Sequence, residues 1–209
     1  MTLLLILGLL FQEPPPPTQP PAQAPGDEVR KEWEYSAQVY AYRIREDRDY
    51  LQPTFTADRD MLHLEARYNY EGHDTGSVWV GANFSLGDKV KLEVTPMLGV
   101  VFGQTAGVAP GLKATLSWWK LELYAEYEYM FVTADHHDSF SYTWSELTIA
   151  PWEWLSVGLV VQRTKVYETD FDVQRGFLAR VFFKSIEITA AYFNPDEDPV
   201  YVLGLGLSF

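Results

Sequence analysis

Charged side chains recur at every second position in several segments of this chain. Glu65 and Arg67 form one such pair, Lys91 and Glu93 a second, and Glu126 and Glu128 a third. Because side chains of a β-strand alternate between two faces, this spacing puts each pair on one face of a strand. Acids and bases on facing walls can set a field across a water-filled passage, or they can neutralise one another and close it. The chemistry that this pattern favours is the binding and filtering of hydrophilic solutes.

The same face of the predicted strands carries further charged and aromatic side chains, with Tyr40 among those that would narrow a bore. We expect the set to line the lumen of a barrel. The predicted lining consists of Glu65, Arg67, Trp79, Lys91, Glu93, Lys113, Tyr124, Glu126, Glu128, Trp144, Glu146, Arg180 and Glu187.

The opposite face of the same segments is apolar. Residues 121–131 show this most clearly, with Leu121, Leu123 and Phe131 on one face and Glu122 and Glu126 on the other. From Glu32 onward about twelve alternating segments of roughly ten residues follow, the length that a tilted transmembrane strand needs. Hydrophobic residues make up 47% of the chain and aromatic residues 15%. We therefore predict an all-β fold, a transmembrane antiparallel up-and-down β-barrel of about twelve strands.

The C-terminus supports this prediction. Residues 201–209 alternate apolar side chains with small or polar ones and end on Phe209. This pattern resembles the C-terminal signal by which the barrel-assembly machinery of Gram-negative bacteria recognises outer-membrane barrels. The resemblance implies the bacterial outer membrane as the location, with outer-membrane lipid, lipopolysaccharide and that machinery as partners. An even number of strands would then leave both termini in the periplasm.

The N-terminal region has a different composition. An apolar stretch from Leu3 to Phe11 predicts a secretory signal over residues 1–24, and proline-rich sequence that begins near residue 14 continues as a linker through 25–31. The barrel then spans 32–209. Ala22-Gln23-Ala24 looks cleavable but Pro25 is a poor residue after a cleavage point, so the position of cleavage stays open.

Tight connections are predicted at Arg59-Asp60, Gly87-Asp88, Trp119-Lys120, Trp152-Glu153 and Lys184-Ser185, with moderately longer ones at the other end. Tryptophans gather beside these turns, as expected of rings at a membrane interface. The predicted girdle consists of Trp33, Trp118, Trp119, Trp152, Trp154 and Phe209. A second girdle at the other end is predicted from Tyr70, Phe102, Phe131, Tyr167 and Tyr192.

Two segments break the alternation. Trp144 and Leu147 fall on opposite faces, and Arg175 falls among lipid-facing residues, so we predict β-bulges near Ser145 and Gly176. Glycines predicted to face inward remove bulk from the lumen, which favours an open passage over a sealed barrel. These are Gly81, Gly99, Gly111, Gly158, Gly204 and Gly206.

No cofactor and no metal site is predicted. The chain has no cysteine, and Asp135-His136-His137-Asp138 is interpreted as a solvated loop because adjacent ligands on a loop tip do not converge. The acidic outer loops are interpreted as hydrated, with cation bridging to lipopolysaccharide as the alternative. A net charge of -13 argues against a nucleic-acid partner.

The strand number and short loops are similar to those of small monomeric porins for acidic sugars and of nucleoside channels. This similarity implies a passive diffusion channel for small hydrophilic solutes, and the excess of inward acids predicts a weak preference for cations or neutral solutes. One alternative is a sealed anchoring barrel that presents the proline-rich tail; another is an outer-membrane hydrolase, although no His lies beside a Ser on the outward faces. We expect a monomer without catalytic residues.

Overall fold

The computed structural model describes residues 32–44, 48–133, 139–166, 172–196 and 199–209, which form antiparallel strands and the connections between them. The described residues contain no helix that could cross a membrane. The strands are β1 (Glu34–Ile44), β2 (Tyr50–Arg59), β3 (Leu62–Tyr68), β4 (Thr75–Ala82), β5 (Phe84–Leu86), β6 (Val90–Gly103), β7 (Gly107–Trp118), β8 (Leu121–Val132), β9 (Phe140–Trp152), β10 (Leu155–Val166), β11 (Asp172–Phe183), β12 (Ile186–Phe193) and β13 (Val200–Ser208).

The thirteen segments form the twelve strands of a closed barrel wall, because β4 and β5 are two parts of one strand. Gly81 lies opposite Met97 and Phe84 opposite Val94, so the register against β6 passes unchanged through the break at Asn83. Every other strand pairs with its neighbours along the chain, and β1 pairs with β13. The predicted closed antiparallel barrel of twelve strands is therefore confirmed, since each strand pairs with a neighbour on both sides.

Alternation of side chains gives the wall two different faces. On the outer face, Val78, Leu98 and Leu203 each leave at least half of the side chain exposed. On the inner face, Arg67, Trp79 and most of their neighbours are buried. β-Branched and aromatic residues at the outward positions suit a pleated wall that meets lipid.

The two ends of the barrel differ as predicted. Tight turns follow Arg59, Leu86, Trp118, Trp152 and Phe183, and the backbone at Asp60, Trp119 and Lys184 has positive φ angles of 54–56°. We call this the tight-turn end and the opposite one the loop end. Backbone hydrogen bonds join Tyr35 to Phe209, so the first and last strands meet at the tight-turn end.

The two predicted bulges are wrong. Pairing of β9 with β8 is continuous from Phe140 to Ile149. Pairing of β11 with β10 is continuous through Gly176, and its pairing with β12 runs without a break from Gly176 to Phe183. Trp144 points inward and Leu147 outward without a slip, because residues three apart in a regular strand lie on opposite faces. The register shifts instead between Ile149 and Trp152, where β9 carries one extra residue opposite Ser156.

Arg175 keeps its outward position at the loop end of β11. Its guanidinium lies 3.5 Å from the carboxylate of Asp196, and both side chains are about three-quarters exposed. A long cationic side chain near a strand end can extend to the aqueous boundary, which removes the need for a bulge.

The second girdle is corrected at one position. Tyr70 does not face lipid, because β3 ends at Tyr68 and Asn69, with a φ of 57°, redirects the chain into the barrel. Phe102 and Phe131 are exposed on the outer face, and Tyr192 stacks against Tyr201 at 5.1 Å. Tyr167 lies outside the described residues.

Candidate functional site in the barrel lumen

The interior of the barrel has three layers along its axis. At the loop end the inward side chains are apolar and form two clusters, one around Phe193, Val160 and Val202 and the other around Met130 and Val101. At mid-height the side chains are charged. At the tight-turn end they are polar, with Ser36 and Thr56 hydrogen-bonded at 2.7 Å. The inward residues of the apolar clusters are buried, so side chains fill the bore at the loop end, whereas part of the charged layer is only partly buried.

The charged layer is built around Arg67 of β3. Its Nε donates to Glu65 Oε1 at 2.8 Å and its Nη1 to Glu128 Oε2 at 3.1 Å. Its Nη2 lies 2.8 Å from Glu126 Oε1, and Glu71 Oε1 lies 3.7 Å from Nη1. The Arg67 side chain has no exposed surface, and the four carboxylates are at most 4% exposed. Glu126 and Glu128 belong to β8, so these contacts span the lumen.

Aromatic rings cover both faces of the Arg67 guanidinium. The Cζ atom lies 4.1 Å from the ring centroid of Tyr70 and 4.6 Å from that of Trp79. Cation–π contacts of this kind contribute more when the cation is desolvated, up to about 2 kcal/mol. The two rings and four carboxylates together hold Arg67 in one position.

The edge of this cluster extends to β7 and β2. Lys113 Nζ donates to Glu65 Oε2 at 2.5 Å, and His63 Nε2 lies 3.1 Å from the same oxygen. The other ring nitrogen of His63 lies 2.7 Å from Asp58. With both nitrogens engaged by carboxylates, His63 has no free nitrogen for general base catalysis.

A second charged group lies on the wall formed by β9, β11 and β12. Arg180 donates to both carboxylate oxygens of Glu146 at 2.5–2.6 Å, and its Nε lies 3.4 Å from Glu187. Trp144 Nε1 donates to Glu146 at 2.8 Å, and Gln38 Nε2 lies within 3.5 Å of Glu187. Bidentate pairing of this kind fixes both side chains.

A cavity of about 260 Å³ lies between the two charged groups, and we call it the vestibule. Ser36, Thr54 and Thr56 line one side, and Tyr124 and Trp144 the other. Five carboxylates line it against two cations: Glu65, Glu122, Glu126, Glu146 and Glu187 against Lys113 and Arg180. The vestibule therefore has an excess of negative charge.

The inward glycines do not widen the bore. A Cβ on Gly99 would lie 2.5 Å from the indole of Trp79, and one on Gly111 would lie 3.0 Å from the same ring system. The phenol ring of Tyr40 lies directly over Gly204. These glycines provide the space that inward aromatic rings occupy, which corrects our reason for favouring an open passage.

The structure brings most of the predicted lining residues into these layers. Eleven of them belong to the two charged groups or contact them: Glu65, Arg67, Trp79, Lys113, Tyr124, Glu126, Glu128, Trp144, Glu146, Arg180 and Glu187. Glu187 lies on the vestibule wall. Lys91 and Glu93 are different, because they pair with each other at 2.8 Å near the tight-turn end, each about half exposed. Many predicted lining residues therefore fill the lumen rather than surround open water.

The predicted girdle residues lie at the tight-turn end. Trp118, Trp119, Trp152, Trp154 and Phe209 are more than half exposed, and Trp33 stacks on Tyr35. The register shift in β9 turns Trp152 outward, where its ring stacks on that of Trp154 at 5.7 Å.

Two residues of the site were missed in the sequence. Tyr70 was predicted to lie in the outer girdle and Glu71 was not singled out, yet both enter the charged layer. Burial raises the pKa of the Glu71 carboxyl, and the nearby Arg67 guanidinium opposes part of that rise. The signal was Asn69, since Asn tolerates the positive φ that redirects a chain at the end of a strand.

Among the described residues, no group of three or more His, Asp or Glu side chains has the geometry of a metal site. The segment Asp135-His136-His137-Asp138 lies outside the described residues.

Comparison with known proteins matches no family model and no curated protein sequence. Solved structures do match. The KdgM porin superposes with a TM-score of 0.61 at 12% identity, over 83% of this chain and 99% of that one. The NanC porin gives 0.54 at 11% identity, over 83% and 98%. The outer membrane protein Omp33 of Acinetobacter baumannii gives 0.50 at 11%, over 86% and 99%. The chain therefore has the closed, twelve-stranded fold of outer-membrane β-barrel proteins of the porin type.

Proposed function

We propose that this barrel is an outer-membrane diffusion channel for small hydrophilic solutes, and that interior side chains hold it closed at rest. The observation that carries the proposal is the ion network around Arg67 at mid-height. A buried ion network costs more free energy than apolar side chains of the same volume. A barrel that served only as an anchor would gain nothing from it, whereas a passage for water and solutes needs polar groups at its narrowest level.

The solute preference follows from the charge of the vestibule. Five carboxylates and two cations favour cationic or neutral solutes over anions. One of the similar structures is described as a KdgM porin in complex with disordered oligogalacturonate, which is a polyanion. The acidic vestibule does not suit a polyanionic ligand. We therefore propose a different class of solute for this barrel, although it shares its fold with these porins.

The proposal places the protein in the bacterial outer membrane, with the tight-turn end and both termini in the periplasm. Outer-membrane lipid and lipopolysaccharide would surround the wall, and the strand β13 ending at Phe209 would engage the barrel-assembly machinery. A monomer without a catalytic role fits this arrangement. The contacts of the described histidines do not favour the hydrolase alternative. Both ring nitrogens of His63 are held by carboxylates, and the ring of His73 packs edge-on against Tyr50 with 4.8 Å between the ring centroids.

Planar-bilayer recording of the refolded protein tests the proposal. We expect discrete current steps in KCl, with cations carrying more current than anions. The same preparation after removal of the protein by a specific antibody is the control. If folded protein gives no current at any voltage or pH, the channel proposal is wrong.

The second candidate is a sealed barrel that anchors the proline-rich tail. The apolar clusters around Phe193 and Met130 favour it, since they fill the loop end as a protein core would. Deletion of residues 25–31 together with the preceding prolines separates the two functions. An anchor would lose its periplasmic partner while the barrel still assembles, whereas a channel would keep its conductance.

A further inference from the structure

The connection Asn69–Asp74 between β3 and β4 folds into the lumen while its two ends are fixed to the wall. The Asn69 side chain accepts from Asp74 N at 2.8 Å and donates to Leu51 O at 2.9 Å. Gln52 Nε2 donates to Asn69 O at 3.3 Å. Between these anchors, Glu71 is buried in the bore and Tyr70 is partly buried there. We call this connection the inward turn.

The inward turn covers Arg67 on the side that faces the loop end of the barrel. Tyr70 covers one face of the guanidinium and meets the Tyr142 ring of β9 edge-on at 5.6 Å. Glu71 Oε1 accepts from Ser77 Oγ at 2.6 Å and from Trp79 Nε1 at 3.3 Å. The turn thus joins β4 to the opposite wall through two side chains.

The charges at this level do not balance. Four carboxylates, from Glu65, Glu71, Glu126 and Glu128, face two cations, Arg67 and Lys113, which leaves a formal charge of -2. In the described part of the chain, Glu71 Oε2 and Glu128 Oε1 are buried without a hydrogen-bond partner. An unpartnered buried carboxylate oxygen is costly when it is ionised, and uptake of a proton removes much of that cost.

Every wall packed against the inward turn contributes to this balance. The charged and titratable side chains that contact the turn are Arg48, Tyr50, Arg67, Tyr68 and Tyr142, and the turn itself contributes His73 and Asp74 beside Glu71. Arg48 lies 3.5 Å from Asp74 and balances its charge, His73 packs edge-on against Tyr50, and the remaining charges near the turn are those of Glu65, Lys113, Glu126 and Glu128 around Arg67. The excess negative charge therefore belongs to the carboxylates around Arg67.

The sign of the pH effect follows from burial. Burial raises the pKa of Glu71 in the closed arrangement, and exposure to water would restore the ordinary value. A carboxyl with a raised pKa favours the closed arrangement below that pKa and opposes it as the pH rises through that value. Acidic solution should close the lumen, and alkaline solution should loosen it.

We propose that the inward turn is a proton-sensitive gate, held shut when Glu71 or Glu128, the two carboxylates with an unpartnered oxygen beside Arg67, is protonated and released when both are ionised. This inference rests on the proposed channel function. Glu71 acts as a positioning residue, because it acts through Tyr70, Trp79 and Arg67 on the width of the bore.

Acrylamide quenching of Trp79 fluorescence tests the movement without any current. The Trp79 signal is the difference between the wild type and W79F, recorded in detergent from pH 5 to pH 9. We expect Trp79 to be protected at low pH and accessible at high pH. In E71Q/E128Q, which mimics the protonated pair, it should stay protected throughout, while E153Q, a carboxylate in an exposed turn, should behave as the wild type.

Bilayer currents over the same pH range complete the test. The open-to-closed ratio should rise with pH by up to about tenfold per pH unit, the limit for release of one proton. E71Q/E128Q should lose this dependence. If the double variant does not assemble, E71Q alone, with the same side-chain shape, should show a reduced dependence.

The outcomes separate the two proposals. Trp79 protection that does not change with pH, or that changes equally in E71Q/E128Q, overturns the gate whatever the currents are. Trp79 protection that changes as expected while no current appears at any pH supports the movement of the turn and overturns the channel.

Discussion

Arg67 on β3 and Glu128 on β8 form an ion pair across the lumen, with Nη1 and Oε2 3.1 Å apart, although their strands are not neighbours in the wall. The contact crosses the lumen and blocks the part of the bore beside the vestibule. It also ties distant strands together, so the same residues that bar the passage contribute to the stability of the wall.

Replacement of Arg67 by Met should destabilise the barrel by about 3–5 kcal/mol, because four buried carboxylates would lose their central cation. The measurement is the free energy of unfolding in guanidinium, with refolding into lipid vesicles. Arg175→Met, which removes an exposed cation from the outer face, should change it by less than about 1 kcal/mol. Equal effects of the two substitutions would mean that the network around Arg67 has no special role.

Gly99→Ala should lower the free energy of unfolding by about 1–3 kcal/mol, because the added methyl group overlaps the Trp79 indole. The same substitution in a Trp79→Phe background should cost less, since the smaller ring can yield. Gly206→Ala is the control, as its nearest neighbour is 3.3 Å away on the Glu187 side chain. If Gly99→Ala destabilises the protein equally in both backgrounds, the packing of the Trp79 ring against Gly99 is contradicted.

Glu122→Gln should shift ion selectivity toward anions, because Glu122 is an exposed carboxylate at the vestibule. The measurement is the reversal potential in a KCl gradient. Replacement of Glu153, which lies in an exposed turn outside the lumen, should leave the potential unchanged. An unchanged potential in Glu122→Gln would remove the vestibule charge as the source of cation preference.

Lipids brominated near the headgroup should quench the fluorescence of the tight-turn tryptophans. Trp118, Trp119, Trp152 and Trp154 are exposed on the outer face or the turns, whereas Trp79 and Trp144 lie inside. We expect brominated lipid to quench as much tryptophan fluorescence in W79F as in the wild type, and less in W119F. Absence of quenching in vesicles would contradict the placement of this end at the membrane interface.

The fold was predictable because a period of two is a strong signal over ten residues. Glu65 and Arg67 alternate with Leu64 and Ala66, and any slip would put charges into lipid. The tryptophans beside the tight turns were predictable because amphipathic rings favour the boundary between lipid and water. The packing of interior side chains was harder to predict. The strand pattern shows that Trp79 points inward, but it does not show that the Trp79 ring packs against Gly99.

The errors have identifiable physical causes. A bulge was expected near Ser145 because Trp144 and Leu147 fall on opposite faces of a regular strand, yet Trp144 belongs inside the barrel, where its indole donates to Glu146, so no slip is needed. Tyr70 was assigned outside by continuing the alternation of β3 past its end at Tyr68. A single residue with positive φ, Asn69, reverses the direction of all that follows in the turn. Whether the bore is open depends on side chains from six or more strands, and no single segment encodes that.

The most direct test of the account is the time-averaged bilayer current of Tyr70→Ala compared with Tyr201→Ala. Tyr70 covers Arg67 in the bore, whereas Tyr201 lies on the outer face. We predict that Tyr70→Ala carries several times the current of the wild type and that Tyr201→Ala carries the same current as the wild type. Equal currents from all three proteins, or no current from any of them, would contradict a channel that is closed by the side chains around Arg67.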